Sequence, residues 1–182
     1  MQPILKSNLS KQSFENYEIP AEWQRDYLGA ASLAARILYD SLTAELDPLS
    51  ADAPLLILTG PLTGTFGPAT GRFVVTGKSP ATRLWAESNV GGGGGVELRK
   101  CGYDGIWVTG KSDSPFYLSL NGSKPELRAA AHLWEQDTYE IQKSIKAESG
   151  SKSTKVFGIG IAGENQIPFA GIFCDHGRAA GR

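Results

Sequence analysis

Two arginines near the end of the chain have the residue types and spacing of an anion-binding loop. The sequence reads His-Gly-Arg-Ala-Ala-Gly-Arg over 176–182, so Arg178 and Arg182 stand four residues apart among small residues. Small residues let a backbone approach a ligand closely, and guanidinium groups can grip an anion with two parallel hydrogen bonds. We therefore expect a binding loop here, and we expect the chain to be one piece of a larger protein. The alternative is a basic segment without a ligand, of the kind that frays at a chain end.

A second candidate for ligand contact is the run of five glycines at 91–95. It lies between an expected strand and a short helical pattern at 96–101, so its N–H groups can face an anion at a helix N-terminus. Asn89, just before the run, can donate two hydrogen bonds to the edge of a heteroaromatic ring. The alternative for the run is a flexible linker.

Two phosphate-binding patterns occur in the sequence without the structural context that they require. Residues 105–112 satisfy G-x-x-x-x-G-K-S, but Ile, Trp, Val and Thr fill the middle of the pattern and another strand follows. Residues 158–163 satisfy G-x-G-x-x-G after a strand, yet a second strand is expected where the dinucleotide fold needs a helix. A nucleotide-binding protein is therefore the least favoured interpretation.

Groups that could perform catalysis are scarce. His132 precedes Leu-Trp and is typical of a structural residue, and the sequence contains no Ser/His/Asp or Cys/His arrangement and no H-E-x-x-H motif. Cys101 and Cys174 lie 73 residues apart, without metal-ligand spacing, and are expected to be buried thiols. We expect no catalytic residue and no metal ligand in this chain. Binding loops without catalytic groups indicate a bound cofactor that brings its own reactivity.

Composition places the chain among ordinary globular proteins. It has 182 residues, 41% apolar and 20% charged, with a net charge of −1. Such a charge gives no drive toward nucleic acid or anionic membranes, and no apolar run approaches the roughly 20 residues that span a bilayer. The N-terminus lacks the features of a signal peptide. These observations predict a cytoplasmic protein with no nucleic-acid or membrane partner.

The elements that must position these residues are mostly strands. The patterns predict a hairpin over 3–19, helices over 21–42 and 137–149, and a series of short strands at 55–58, 72–76, 84–86, 106–108, 116–120, 155–159 and 167–174. Many strands with few helices favour an α+β fold with antiparallel sheets and flanking helices. Residues 55–76 and 155–178 both read strand, glycine loop, strand. An internal duplication of this unit would bring Arg72 and Arg178 to one site.

Five segments, taken in order, carry a resemblance to a known family. They read Gly-Pro-Leu-Thr-Gly-Thr at 60–65, Gly-Arg-Phe-Val-Val-Thr-Gly-Lys-Ser-Pro at 71–80, Cys-Gly-Tyr-Asp-Gly-Ile at 101–106, Ile-Ala-Gly-Glu-Asn at 161–165 and the arginine loop at 176–182. The chain resembles, over essentially its whole length, the N-terminal domain of the tungsten-containing aldehyde:ferredoxin oxidoreductases. It departs from the family at 91–95, where two glycines are usually followed by a bulkier residue.

The resemblance implies a function and a set of site residues. It implies that 1–182 is a single N-terminal domain of an enzyme that oxidises aldehydes to carboxylic acids. This domain would bind a tungsten (or molybdenum) bis-molybdopterin cofactor whose phosphates are bridged by magnesium. The cofactor-contacting positions of the family fall on Arg72, Asn89, Gly91, Arg178, Ala179, Gly181 and Arg182.

The resemblance also implies partners. The family's 4Fe-4S cluster and its acid/base residues belong to later helical domains that this chain does not contain, so the chain alone should be inactive. Its partners would be those C-terminal domains or a separate catalytic chain, with ferredoxin as the electron acceptor of the whole enzyme, and the chain would be able to form a homo-oligomer. The alternative is a stand-alone module of the family that binds a pterin or another anionic ligand.

Overall fold

A six-stranded mixed sheet organises the chain, whose computed structural model describes residues 1–175 and 177–181. The strand order is β2-β1-β6-β3-β4-β5. The strands are β1 (Ile4–Asn8), β2 (Ser13–Tyr17), β3 (Leu55–Thr59), β4 (Phe73–Lys78), β5 (Trp85–Val90) and β6 (Gly105–Thr109). Every neighbouring pair is antiparallel except β1 and β6, which run parallel. The predicted α+β class is confirmed, and the sheet is mixed rather than wholly antiparallel.

Five helices and two small sheets complete the described part of the chain. The helices are α1 (Ala21–Tyr27), α2 (Ala30–Ser41), α3 (Gly94–Lys100), α4 (Thr138–Ser149) and α5 (Ile161–Glu164), with a 3-10 turn at Ala131–Leu133. The small sheets are the hairpin β7 (Phe116–Asn121)–β8 (Lys124–Ala129) and a three-stranded sheet of β9 (Phe157–Gly158), β10 (Phe173–Cys174) and β11 (Arg178–Ala179). Among the described residues, no helix has both the length and the apolar character that crossing a membrane would require.

The core lies on both faces of the six-stranded sheet. Successive residues of a strand point to opposite faces, so Leu56 packs with Leu33 and Ile37 of α2, whereas Ile57 packs with Phe73 and Leu98 on the other face. All six side chains are at most 7% exposed. Full burial of one such side chain contributes about 1.5–3 kcal/mol. The central sheet is therefore a rigid base for the loops that leave its strands.

The segment predicted as one helix over 21–42 is two helices. Leu28, Gly29 and Ala30 have φ values of 61°, 135° and 47°, which interrupt the helix between α1 and α2. Glycine tolerates this region at no steric cost and allows the sharp turn. The turn places the N-terminus of α2 beside the loop that follows β3, where a Cβ on Gly29 would lie 3.2 Å from the Thr59 carbonyl oxygen.

The C-terminal third also differs from the prediction. The strands expected over 155–159 and 167–174 are only two residues long each, and one helical turn, α5, stands where a turn leading into a strand was expected. Strands β9 and β10 pair antiparallel, as β3 and β4 do. The two proposed repeat units thus share an antiparallel strand pair, but α5 interrupts the connection in the second unit, and the units differ in strand length and belong to different sheets.

Candidate functional site

A cavity of about 420 Å³ opens at the N-terminal end of β4. We call it the groove. Its walls are the start of α2, residues 60–63, 68–70 and 72–74, and two side chains of β5, Glu87 and Asn89. Arg72 and Asn89 thus line the same cavity because β4 and β5 are hydrogen-bonded neighbours, with Val74 opposite Asn89.

A second cavity of about 360 Å³ adjoins the groove along the edge strand β5. Trp85, Glu87 and Asn89 line it together with Gly181. The backbone N–H of Asn89 donates to the Gly181 carbonyl at 2.7 Å, and the N–H of Gly181 donates back at 3.4 Å. This bridge extends the edge of the sheet with the C-terminal segment. We call the space the β5 cavity.

The glycine run is a packed loop held by the residues after β10. The N–H of Gly93 donates to Asp175 Oδ2 at 2.8 Å, and Lys155 Nζ lies 3.6 Å from the other carboxylate oxygen. Gly92 has φ +111°, and a Cβ there would lie 2.2 Å from the Asp175 carboxylate. These contacts rule out the linker interpretation. They also show that one backbone donor expected to face a ligand is already occupied by a carboxylate of the chain itself.

Arg178 extends beside this loop. A Cβ on Gly91 would lie 3.9 Å from Arg178 Nη1, so the guanidinium runs past bare backbone. Arg72 and Arg178 are both exposed, and neither forms an ion pair within 1–175 and 177–181. Other arginines are paired with carboxylates, among them Arg36 with an aspartate 2.7 Å away. Two guanidinium groups are therefore free to bind an external anion.

The structure brings most of the predicted site residues together. Arg72 and Asn89 share the groove, Asn89 and Gly181 share the β5 cavity, and Arg178 lies beside Gly91, two residues on from Asn89. Two predicted positions remain. Ala179 is exposed and pairs with Phe173 of β10. Arg182 lies outside the described residues.

A partly buried ion pair that sequence reasoning missed supports one wall of the groove. Arg99 Nη1 donates to three carbonyl oxygens of residues 60–63, at 3.1–3.2 Å. Its Nε lies 3.1 Å from Oδ1 of Asp104, at ion-pair distance without hydrogen-bond alignment, and Asp104 is 3% exposed. The Thr63 hydroxyl then donates to the Arg72 carbonyl at 2.9 Å. Asp104 belongs to the motif at 101–106, but nothing in that motif indicates that Arg99 is its partner.

No catalytic constellation occurs among residues 1–175 and 177–181. They contain no group of three His, Cys, Asp or Glu side chains placed to hold a metal ion. Burial raises the pKa of the Cys101 and Cys174 thiols, and Asp175 raises that of Cys174 further, so neither is an activated nucleophile.

His132 has a structural role, as expected. Its Nε2 lies 2.6 Å from Glu148 Oε1 of α4, and the Tyr117 hydroxyl donates to the other oxygen at 2.7 Å. These contacts connect the 3-10 turn and the β7–β8 hairpin to α4. The hydrogen bonds from Tyr117 and then His132 lower the pKa of Glu148.

Comparison with known proteins identifies one family over nearly the whole chain. A family model described as "Aldehyde ferredoxin oxidoreductase, N-terminal domain" matches residues 4–182. Tungsten-containing aldehyde ferredoxin oxidoreductases of Pyrococcus furiosus and Thermococcus kodakarensis are each 40% identical over 179 residues, covering 98% of this chain and 30% of the relative. The chain thus spans about a third of the length of these relatives.

Two further matches are to proteins with other names. An aliphatic sulfonate oxidoreductase, WOR-like subunit, of Pyrococcus furiosus is 31% identical, covering 98% of this chain and 31% of the relative. A solved structure, the active site complex BamBC of benzoyl coenzyme A reductase with 1,5 dienoyl-CoA, superposes with a TM-score of 0.96 at 35% identity. The superposition covers all of this chain and 28% of the solved chain.

Proposed function

Because the chain belongs to the aldehyde ferredoxin oxidoreductase N-terminal domain family, we propose that it is the pterin-cofactor-binding domain of a tungsten-dependent oxidoreductase. The cofactor would be a tungsten or molybdenum bis-molybdopterin with magnesium bridging its phosphates. The names of the relatives support tungsten as the metal and ferredoxin as the electron acceptor.

The observation that carries the proposal is the pair of free guanidinium groups next to bare glycine backbone. Arg72 lines the groove and Arg178 passes Gly91, and neither is neutralised by a described carboxylate. Arginine presents a planar fork of donors that matches phosphate oxygens. An anion bound here would gain two charge-assisted contacts that the fold leaves open. The residues present therefore fit a ligand with phosphate groups.

The flat part of the cofactor also fits the walls. The groove is bordered by Pro61 and Leu62, whose apolar surfaces suit a ring system, and the Asn89 side chain can donate to and accept from a ring edge. The 60–63 loop is fixed by Arg99, so these walls are preorganised rather than formed on binding. In this proposal Arg72 and Arg178 hold phosphates, Asn89 orients a pterin, and Gly91 and Gly181 permit close approach.

When bound, the metal and its dithiolenes supply the two-electron redox chemistry that converts an aldehyde to a carboxylic acid. The chain's own residues bind and orient this group and shield one of its sides from water. Acid/base residues and iron–sulfur ligands would come from further domains or another chain. We therefore expect the 182 residues alone to be inactive.

A second candidate is a binding module that assembles with a separate catalytic chain acting on another substrate. The names of two matches favour it, because one is a subunit and the other is the active site complex of benzoyl coenzyme A reductase. Both candidates use the same groove for the same class of cofactor. They differ in the substrate and in the chain that contributes the rest of the active site.

The test is the metal and pterin content of arginine variants of the full-length protein. We expect Arg72→Ala and Arg178→Ala each to lower both contents, because a contact between a guanidinium and a desolvated phosphate contributes about 2–5 kcal/mol. Arg128→Ala, which removes an arginine paired with Glu126 on the separate β7–β8 hairpin, should leave both contents unchanged. Melting temperatures of the cofactor-free proteins should change little, because Arg72 and Arg178 are both exposed. Normal metal content in the Arg72/Arg178 double variant would refute the proposal.

A further inference from the structure

The β5 cavity contains a set of side chains that the arginine sites do not explain. Trp85, Glu87 and Asn89 alternate along β5 and so point to one face, where they line the cavity with Gly181. Trp85 is 41% exposed, so its indole is accessible from the cavity. The face therefore offers an aromatic surface, a carboxylate and an amide to one small ligand.

Glu87 is the most informative member of this set. It forms no ion pair with the described residues, and its one hydrogen bond is a long one, accepted by Oε1 from Asn89 Nδ2 at 3.3 Å. Its second oxygen and its charge are thus available to a ligand. Opposite it across the strand pair is Thr76, which is neutral.

The charge of Glu87 limits what it can recognise. A carboxylate repels phosphate, so Glu87 cannot serve the same part of a ligand as Arg72, although both line the groove. Among the described residues, no group of three His, Cys, Asp or Glu side chains could hold a metal ion, so Glu87 is not part of a metal site built from such side chains alone. A carboxylate beside an accessible indole and an amide suits a neutral ring edge that presents hydrogen-bond donors.

A 2-amino-4-oxo pyrimidine ring has such an edge. Its ring N–H and its exocyclic amino group lie side by side and point in the same direction, and the two oxygens of a carboxylate can accept both hydrogens. Charge-assisted hydrogen bonds of this kind are about twice as strong as neutral ones. The flat ring would stack on the indole of Trp85, as bases stack on aromatic side chains.

We propose that Glu87 determines specificity by reading the amino-substituted edge of a pterin ring that stacks on Trp85. The proposal rests on the function proposed above and adds the direction in which the ligand lies in the site. Arg72 and Arg178 serve the phosphate end of the ligand, and the β5 cavity serves the ring end. Glu87 would thereby distinguish a 2-amino ring from a ring with an oxygen at the same position.

The experiment compares two ring probes on the full-length apoprotein. The probes are pterin-6-carboxylate and lumazine-6-carboxylate, in which a carbonyl oxygen replaces the 2-amino group, and their Kd values are measured by calorimetry. The unmodified protein should bind the pterin about 10–100-fold more tightly, since a carboxylate facing a carbonyl loses one charged hydrogen bond and gains repulsion. In Glu87→Gln this preference should fall to less than about threefold.

Two further variants distinguish stacking on Trp85 from recognition of the ring edge by Glu87. Trp85→Leu should weaken both probes by a similar factor, about tenfold, because stacking does not sense the ring edge. Ser88→Ala, on the opposite face of the same strand, should change neither. Glu87 is exposed on an edge strand, so its replacement by Gln should leave the melting temperature unchanged.

The outcomes distinguish the two proposals. If Glu87→Gln retains the full preference for pterin, the role of Glu87 is wrong, while loss of metal from the arginine variants would still support the cofactor site. If the unmodified protein binds neither probe or binds both equally, the role of Glu87 is also overturned. If the arginine variants keep their metal while the preference depends on Glu87, the ring site stands and the phosphate assignments fail.

Discussion

Replacing Gly92 by alanine should destabilise the protein far more than an ordinary loop substitution does. Gly92 has φ +111°, where a residue with a Cβ loses about 1–2 kcal/mol. The new Cβ would also lie 2.2 Å from Asp175 Oδ2, so the carboxylate must leave the Gly93 N–H, to which it is bound at 2.8 Å. A hydrogen bond to a charged group contributes about 1.5–3 kcal/mol.

The Lys155 contact adds little to this total. Its ammonium lies 3.6 Å from Asp175 and its side chain is 35% exposed, so screening leaves well under about 1 kcal/mol. We therefore expect Gly92→Ala to lower the free energy of unfolding by about 2.5–5 kcal/mol. For a chain of this size, that corresponds to a fall in Tm of about 5–20 °C.

Gly150 provides a matched control. It also has a positive φ, +66°, but a Cβ there would meet no atom within 4 Å. Gly150→Ala should therefore cost only the backbone strain, about 1–2 kcal/mol. Urea denaturation of the two variants measures the difference. Equal losses would refute the claim that the Asp175 contact holds the glycine loop.

A double variant isolates the clash itself. In Asp175→Ser the carboxylate is already absent, so adding Gly92→Ala should cost only the backbone strain. The resulting coupling between the two positions should be about 1.5–3 kcal/mol. Additive losses would mean that the glycine loop is held by other contacts.

Three further predictions concern the groove, the α4 contacts and the activity of the chain. Asp104→Asn should lower the free energy of unfolding, measured in urea, by about 2–3 kcal/mol, because it leaves Arg99 without a buried counter-charge. The control Asp40→Asn, which breaks the surface pair with Arg36, should cost about 0.5 kcal/mol at most. Equal losses in the two variants would contradict the role of Asp104 in holding Arg99. Tyr117→Phe should raise the pKa of Glu148 toward its usual 4.5 in an NMR titration. Because folding lowers the pKa of Glu148, this hydrogen bond stabilises the protein above about pH 4.5. The difference in stability between the unmodified protein and Tyr117→Phe should therefore shrink as the pH falls through the pKa of Glu148 in the folded protein. An unchanged Glu148 pKa in the variant would refute the role given to Tyr117. Finally, the purified 182 residues should not reduce a viologen dye with an aldehyde, and activity above a buffer control would place catalytic groups in this chain.

The parts of the fold that the sequence predicts well have local signals. Helix α4 begins after Asp137, whose carboxylate accepts the N–H groups of Tyr139 and Glu140, and it ends at Gly150 in the left-handed conformation. These are cap residues whose chemistry depends on their immediate neighbours alone. The β1–β2 hairpin and the turn at Gly122 follow from similar local patterns.

The parts that the sequence does not reveal depend on distant partners. The parallel pairing of β1 with β6 joins segments about 100 residues apart, and no pattern in either strand specifies the other. Two-residue strands such as β9 and β10 are shorter than any periodicity can detect. Their position depends on tertiary contacts rather than on propensity.

The candidate site shows the same division. Residue types, the internal repeat and the family resemblance together predicted a ligand role for Arg72, Asn89 and Arg178, and that role stays a prediction. The fold places Arg72 and Asn89 in one cavity and Arg178 beside Gly91. The supports of the site were not predictable, because Arg99 acts through backbone carbonyls and Asp175 through a backbone N–H. Nearly every residue carries a backbone N–H and C=O, so residue types do not indicate which of these groups a side chain will bind.

The most direct test of the account is an experimental structure of the full-length protein with its native cofactor. We predict phosphate oxygens within hydrogen-bond distance, about 2.7–3.2 Å, of the Arg72 and Arg178 guanidinium groups, with a pterin ring against the Asn89 side of β5. A cofactor bound elsewhere, with both guanidinium groups facing solvent, would contradict the central claim.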